Sequence, residues 1–391
     1  MSLLFEMERM KRIKKDIERN LIVEEHEITE YKMLEGQQKD AATCDTTTWT
    51  NYLIHTPWSK LEDHRWFRTT FTIPDSYDGK YVELKITTGR EGQWDATNPQ
   101  MLCYLNGEII QGVDVNHREI LISGNAKAGK TYDLALYAFS GSVVGDLILH
   151  TVLQTVDQKV KKFYYDFSVL VDAADLLKEN DERNCRKILS VLMDAIADLD
   201  LREPYSTEYD YGIDKASKKL EEAFYTTMTK DGPVVSAIGH THIDIAWLWT
   251  VAQTREKTIR SFSTVLELME QYPDYKFMSS QPILYQFVKE EAPKIYQKIK
   301  ERVAEGRWEV DGAMWLESDC NIPNGESLVR QILKGHQFMK EEFDVESKSL
   351  WLPDVFGYSA AIPQILKKSR IPYFTTTKIA WNQYNQLPNK L

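Results

Sequence analysis

The chain has 391 residues, of which 42% are hydrophobic, enough for two or three domains with cores of their own. Asp and Glu (59) outnumber Lys and Arg (48), and this acidic balance excludes nucleic acid as the main partner. No apolar run reaches the roughly twenty residues of a membrane helix, so no membrane partner is expected. The cysteines, Cys44, Cys103, Cys185 and Cys320, lack paired or metal-type spacing and indicate reduced thiols in a cytoplasmic protein.

The first part of the chain divides into two patterns. Residues 1–35 are charged with a helical apolar period, which predicts an N-terminal helix. Residues 36–155 contain short alternating runs separated by turns, which predict an antiparallel β-sandwich. Within it, Asn106-Gly107 between two apolar runs predicts a tight hairpin.

The second part is first helical and then mixed. Residues 156–231 carry long amphipathic runs and are predicted to form a helical connector. Residues 232–391 alternate apolar strand-like runs with amphipathic helices, which predicts parallel strands and an α/β catalytic domain. The predicted strands are Val234–Gly239, Tyr275–Met278, Trp308–Asp311, Leu350–Leu352 and Tyr373–Thr376. The predicted helices are Glu256–Gln271, Pro282–Glu305 and Gly325–Phe343.

Active sites of such sheets and barrels lie at the carboxyl ends of the strands, and here every predicted end is polar or acidic. The residues at these ends are His240 to Asp244, Ser279 to Gln281, Asp311 with Glu317 and Asp319, Asp354, and Thr377 with Lys378. A purely structural sheet would not require this pattern, so the strand ends are the candidate site.

His242 and Asp244 are two residues apart, so on an extended segment both side chains can reach one ion. An imidazole nitrogen with a carboxylate oxygen suits zinc. Two alternatives stay open: Asp244 could cap a helix, or His240 and His242 could form the His-x-His of a barrel metallohydrolase. Asp354 could complete the ligand set, or it could cap the helix expected from Ala360.

Two segments together resemble the α-mannosidases of glycoside hydrolase family 38. They are GHTHIDIAW at 239–247 and LPDVFGY at 352–358. Supporting stretches are similar to the bacterial and cytosolic or vacuolar branch of that family. They are TREK at 254–257, ESDCNIPNGES at 317–327 and KIAWNQ at 378–383.

The resemblance implies a seven-stranded α/β barrel, incomplete here, and a role for each matching residue. His242 and Asp244 match the first zinc ligands, and Asp354 matches the catalytic nucleophile that also binds zinc. Trp247 and Phe356 match aromatic residues that line the sugar subsite, and Lys378 matches a basic residue near the nucleophile. His240 matches a motif residue that is not a ligand.

The resemblance also implies parts that this chain lacks. A further zinc-binding histidine and the acid/base aspartate are expected beyond Leu391, which makes the chain an N-terminal fragment, inactive alone. Asp311, Glu317 and Asp319 are expected to cap helices or to hydrogen-bond ligands rather than to act as acid/base. The expected activity is zinc-dependent retaining hydrolysis of terminal α-linked mannose from glycans or oligosaccharides, and a homodimer is compatible with the sequence.

Two other functions are compatible with the sequence. One is a zinc amidohydrolase or deacetylase that uses His240 and His242. The other is a non-catalytic sugar-binding protein whose β-sandwich exposes a tryptophan platform, and its candidates are Trp49, Trp58, Trp66 and Trp94.

Overall fold

The computed structural model describes residues 3–38, 40–92, 99–226, 233–381 and 383–384. The chain begins with helix α1 (Leu3–Glu18), which is followed by strands β1 (Ile22–Glu27) and β2 (Glu30–Glu35). The prediction of a helix over residues 1–35 is therefore wrong after Glu18. Both strands enter the β-sandwich, where pairing with neighbouring strands outweighs local helical propensity.

The β-sandwich consists of two antiparallel sheets, as predicted. Its remaining strands are β3 (Thr50–Leu53), β4 (His64–Thr72), β5 (Val82–Thr87), β6 (Gln100–Leu105), β7 (Glu108–Val113), β8 (Glu119–Ser123), β9 (Thr131–Phe139) and β10 (His150–Val156). One sheet has the order β3-β2-β4-β9-β6-β7 and the other β1-β10-β5-β8. Side chains from both sheets, including Phe67, Leu84 and Leu136, form one buried core.

The predicted hairpin is confirmed, because β6 and β7 pair across Asn106 and Gly107. The φ angles of these residues are 53° and 80°, and such paired positive values give the turn a twist that matches the strands.

The sandwich does not expose the tryptophans proposed for a sugar platform. Trp49, Trp58 and Trp66 are only 5–6% exposed. Trp94 lies outside the described residues. The platform hypothesis is therefore wrong for the three described tryptophans, which are part of the packing.

Three helices follow the sandwich and pack with α1 around a separate core. They are α2 (Gln158–Leu177), α3 (Glu182–Ile196) and α4 (Thr207–Leu220). Their first residues follow side-chain caps from Asp157, Asp181 and Ser206, which accept backbone N–H groups at each helix start. This agrees with the predicted helical connector.

The third region alternates strands and helices. Its strands are β11 (Gly239–His240), β12 (Phe277–Ser279), β13 (Trp308–Val310), β14 (Ser349–Leu352) and β15 (Tyr373–Thr376). Its helices are α5 (Val251–Gln271), α6 (Pro282–Glu291), α7 (Pro293–Ala304), α8 (Gly325–Phe343) and α9 (Ile362–Lys368).

The strands of this region are parallel, as predicted. β11, β12 and β13 form one sheet, β14 and β15 another, and a parallel bridge between Gly312 and Leu350 connects the two. The five strands thus follow one another in chain order. Within the described residues they do not close into a barrel.

Two predicted elements differ in extent. The first strand is confined to Gly239–His240, and Val234 and Val235, which lie before it, are 91% and 86% exposed. The predicted helix 282–305 is two helices, because Pro293 lacks an N–H group and the preceding Ala292 has a non-helical φ of −137°. No helix in the described part of the chain combines the length and apolar character needed to cross a membrane.

Helix α8 approaches the chain segment that follows β13 at Gly335. A Cβ atom at this position would collide with the carbonyl oxygen of Ala313 and with the backbone of Met314. The absence of a side chain at Gly335 therefore sets how closely α8 covers the loop leading to the candidate site.

Gly335→Ala should lower the free energy of unfolding by about 1–3 kcal/mol, because overpacking outweighs the higher helix propensity of alanine. The matched control is Gly325→Ala in the first turn of the same helix, where a new Cβ has no neighbour within 4 Å. Urea denaturation of both variants measures the effect. Equal stabilities would show that the contact with Ala313 does not limit packing.

Candidate active site

Strand register brings two charged side chains together at the ends of β14 and β15. Leu352 pairs with Thr376, so Asp354 and Lys378 each lie two residues beyond a paired position. Nζ of Lys378 lies 2.8 Å from Oδ1 of Asp354. The Thr377 hydroxyl also donates to the Pro353 carbonyl at 2.6 Å, which fixes the two loops relative to each other.

Hydrogen bonds from residues at and just before the start of α5 hold the loop after β11. Thr254 donates its hydroxyl to the carbonyl of Ile245 at 2.5 Å, and the indole N–H of Trp249 donates to the carbonyl of Asp244 at 3.2 Å. These bonds replace the regular strand pairing that ends at His240. The backbone carrying His242 and Asp244 is therefore set by α5.

The side chains of His242, Asp244 and Asp354 converge, with one ligand atom from each lying within 4.8 Å of the other two. Nε2 of His242 lies 3.3 Å from Oδ1 of Asp244 and 3.8 Å from Oδ2 of Asp354. One nitrogen and two carboxylate oxygens at these separations can hold a divalent metal ion. The residues thus fit a metal centre of the kind the sequence predicts.

Glu317 lies directly behind His242. Its side chain is 5% exposed, and Oε2 lies 2.8 Å from Nδ1 of His242, on the opposite side of the ring from Asp244. Its other oxygen accepts the Ser280 hydroxyl at 2.5 Å. A carboxylate on the far nitrogen orients a ligand histidine and increases its basicity.

The pKa of His242 is the outcome of opposing effects. Burial alone would lower it, but the carboxylates of Glu317 and Asp244 outweigh burial and raise the pKa to about 9. The metal-free ring is therefore protonated at neutral pH, and a bound ion must displace that proton.

His240 occupies a different place. Its Nδ1 lies 3.0 Å from the carbonyl of Met278, and its Nε2 accepts the indole N–H of Trp351 at 3.2 Å. A neutral ring with one donor and one acceptor satisfies both contacts. Because both nitrogens have partners, this geometry favours Asp244 over His240 as the neighbour of His242 at a metal ion.

Exposed aromatic rings lie on the segments that carry the charged cluster. Trp247 and Phe356, both expected to line a sugar subsite, are 53% and 74% exposed. Nζ of Lys378 lies 4.7 Å from the ring centroid of Phe356 and 3.7 Å from that of Trp381. The sequence prediction did not single out Trp381, although it belongs to the KIAWNQ stretch and is 68% exposed.

The remaining strand-end carboxylates have structural contacts. Asp311 accepts the Ser349 hydroxyl at 2.8 Å, and Asp319 accepts the backbone N–H of Asn321 at 2.7 Å. Gly357 allows the Asp354 loop to approach the Asp319 loop, because a Cβ there would collide with Asn321. Asp311 thus contacts a neighbouring segment and Asp319 a residue of its own loop, whereas helix capping or hydrogen bonds to metal ligands were expected for them.

Glu256, within the TREK stretch, connects α5 to the sandwich. Its carboxylate accepts the Tyr137 hydroxyl at 2.9 Å and lies 3.2 Å from Nε2 of His64. Burial favours the neutral acid, but contacts with His64, Arg260 and Tyr137 outweigh it and lower the pKa of Glu256. Local sequence patterns could not predict this network, because its partners are distant along the chain.

The comparisons with known proteins agree with this geometry. Residues 233–391 match the family model described as glycosyl hydrolases family 38 N-terminal domain. This match includes every residue of the candidate site. The candidate site therefore lies in a region that matches the N-terminal domain of glycoside hydrolase family 38.

Individual relatives extend the match into the sandwich. Alpha-mannosidase G of Dictyostelium discoideum is 30% identical over 88% of this chain and 31% of its own length. Alpha-mannosidase 2C1 of Mus musculus is 31% identical over 83% and 32%, and alpha-mannosidase of Saccharomyces cerevisiae is 35% identical over 60% and 22%. The chain thus spans less than a third of the length of each relative.

Metal binding should distinguish the two histidine hypotheses. Asp244→Ala should weaken Zn²⁺ binding at this centre at least about tenfold, because it removes a ligand oxygen. His240→Ala should retain the centre, because the His240 nitrogens contact Met278 and Trp351. Calorimetric titration of the metal-stripped chain measures both, and the reverse pattern would favour the His-x-His hypothesis.

Glu317→Gln should weaken Zn²⁺ binding about 10- to 100-fold while leaving the fold intact, because an amide supports the ligand ring less well than a carboxylate. Glu309→Gln, at the one exposed position of β13, is the matched control and should bind like the wild type. Titrations of both variants under identical conditions provide the comparison. An unchanged affinity in Glu317→Gln would rule out a role in orienting His242.

Proposed function

We propose that this chain supplies the nucleophile side of a zinc-dependent retaining α-mannosidase active site, which removes terminal α-linked mannose from glycans or oligosaccharides. The observation that carries the proposal is the convergence of His242, Asp244 and Asp354 within a family 38 domain. Mannose as the sugar is supported by the names of the relatives, which are α-mannosidases.

His242, Asp244 and Asp354 would hold the zinc ion, since their nitrogen and two oxygens form a donor set typical of Zn²⁺. When bound, zinc would supply Lewis acidity and a fixed point for sugar hydroxyls. The three residues lie on two loops that β-strand register and α5 hold in place. This rigidity is what a template for a sugar ring requires.

Asp354 would be the nucleophile. In a retaining glycosidase, a carboxylate oxygen forms a bond to the anomeric carbon while the bond to the leaving oxygen breaks and an acid protonates that oxygen. Water then attacks the same carbon, releases the carboxylate and restores the original configuration. Lys378, 2.8 Å from Oδ1, would orient the carboxylate for the attack.

The exposed rings of Trp247, Phe356 and Trp381 would contact the apolar faces of the sugar and exclude water from the reacting carbon. We do not propose Asp311, Glu317 or Asp319 as the acid/base, because their carboxylates already contact Ser349, His242 and Asn321.

Three further features belong to the proposal. Strands β11–β15 would be consecutive strands of an α/β barrel, since they follow one another in chain order. The chain would divide into four segments: 1–35, 36–155, 156–231 and 232–391. Strands β1 and β2 of the first segment belong to the β-sandwich. A cytoplasmic location is supported by the four cysteines, all of which are free.

Asp354→Asn in the full-length protein should lower kcat for an aryl α-mannoside at least about 1,000-fold, because an amide is not a nucleophile at neutral pH. Asp319→Asn, the same change on the neighbouring loop, should retain near wild-type turnover. With the wild type, NMR should show the α-anomer as the first product. Unchanged turnover in Asp354→Asn, or an initial β-anomer, would contradict the proposed role.

A further inference from the structure

A second group of metal-ligand side chains lies on the sandwich, outside the residues matched by the family model. Glu27 from β1, His55 from the turn after β3 and His150 at the start of β10 each place one ligand atom within 4.8 Å of the other two. From these contacts we propose a surface site for a d-block divalent cation such as Zn²⁺.

The separations suit a shared ion. Oε1 of Glu27 lies 3.3 Å from Nε2 of His55 and 3.0 Å from Nε2 of His150. Ligand atoms around a tetrahedral zinc ion with bonds near 2.0–2.1 Å are separated by about 3.3 Å. The same three atoms can therefore coordinate one ion after small side-chain rotations.

Contacts with neighbouring residues hold His150 and His55 in place. Nδ1 of His150 contacts the Thr87 hydroxyl at 3.2 Å, which is the contact that ligand histidines make through their second nitrogen. The backbone N–H of His55 donates to the carbonyl of Leu149 at 3.0 Å, which fixes His55 beside His150. The ring centroids are 4.7 Å apart with a tilt of 31°.

The donor chemistry selects the class of cation. Two imidazole nitrogens with one carboxylate oxygen favour Zn²⁺, Ni²⁺ or Cu²⁺ over Mg²⁺ or Ca²⁺, which prefer oxygen ligands. His150 is half-buried, whereas Glu27 and His55 are exposed, so solvent can provide a fourth ligand. Glu25 and Lys85 line the same groove with opposite charges.

The site joins the two sheets of the sandwich. Glu27 and His150 belong to the sheet of β1 and β10, whereas His55 follows β3 of the other sheet. A bound ion would therefore cross-link β1, an edge strand, to the turn after β3. Binding to the folded state alone raises stability by mass action, so the ion should stabilise the sandwich.

The test is Zn²⁺ titration of the metal-stripped chain carrying His242→Ala, so that the candidate active site does not contribute. This parent should bind one Zn²⁺ per chain and gain thermal stability on binding. His55→Ala, His150→Ala and Glu27→Gln should each weaken binding at least about tenfold and abolish the gain in Tm. His26→Ala is the matched control, since this exposed neighbour on β1 points to the other side of the strand.

Several outcomes are decisive. Binding by the parent and His26→Ala, with loss in the three cluster variants, supports the site. A parent that binds no Zn²⁺, or cluster variants that bind like the parent, overturns it. Circular dichroism of each metal-free variant checks the fold, and Glu27→Gln keeps the test valid if a histidine variant unfolds, because it preserves side-chain size.

Discussion

The active-site architecture depends on two carboxylates, Asp244 and Asp354, that share a small volume beside His242. Two carboxylates whose oxygens lie within 4.8 Å of each other repel, and nearby cations offset this repulsion. Lys378 neutralises one oxygen of Asp354, and His242 contacts both acids. Asp244 and the second oxygen of Asp354 leave negative charge beside His242, which favours binding of a divalent ion. In the proposed mechanism, Asp354 serves both as a metal ligand and as the nucleophile.

The scaffold holds these charges together by contacts that are remote in sequence. α5 fixes the His242 loop through Thr254, and the same helix packs on the outer face of the six-stranded sheet, where the backbone N–H of Gly112 donates to the Thr264 hydroxyl at 3.0 Å. Glu256 adds a contact with the sandwich, since its carboxylate lies 3.2 Å from Nε2 of His64. The same helix thus contacts both the sandwich and the loop that carries His242 and Asp244.

Local sequence patterns predicted most of this fold and the centre of the site. Alternation identified the sandwich strands, and Asn106-Gly107 identified its hairpin. Polar strand ends placed His242, Asp244 and Asp354 among the candidates, and the structure brings these three together. Local patterns could not predict contacts between residues that are far apart in the sequence. The first parallel strand is shorter than predicted, because Val234 and Val235 are exposed and not paired in the sheet. The choice between His240 and Asp244 depended on Met278 and Trp351, and the position of Glu317 behind His242 depended on packing between separate loops.

The central claim is that one ion binds between His242, Asp244 and Asp354. Anomalous diffraction from a crystal of the Zn²⁺-loaded protein, collected on both sides of the zinc edge, tests it most directly. An anomalous peak is expected within about 2.0–2.2 Å of Nε2 of His242 and of an oxygen of each aspartate. A peak coordinated by His240, or density with no anomalous signal among these three residues, would show that they do not form the metal site.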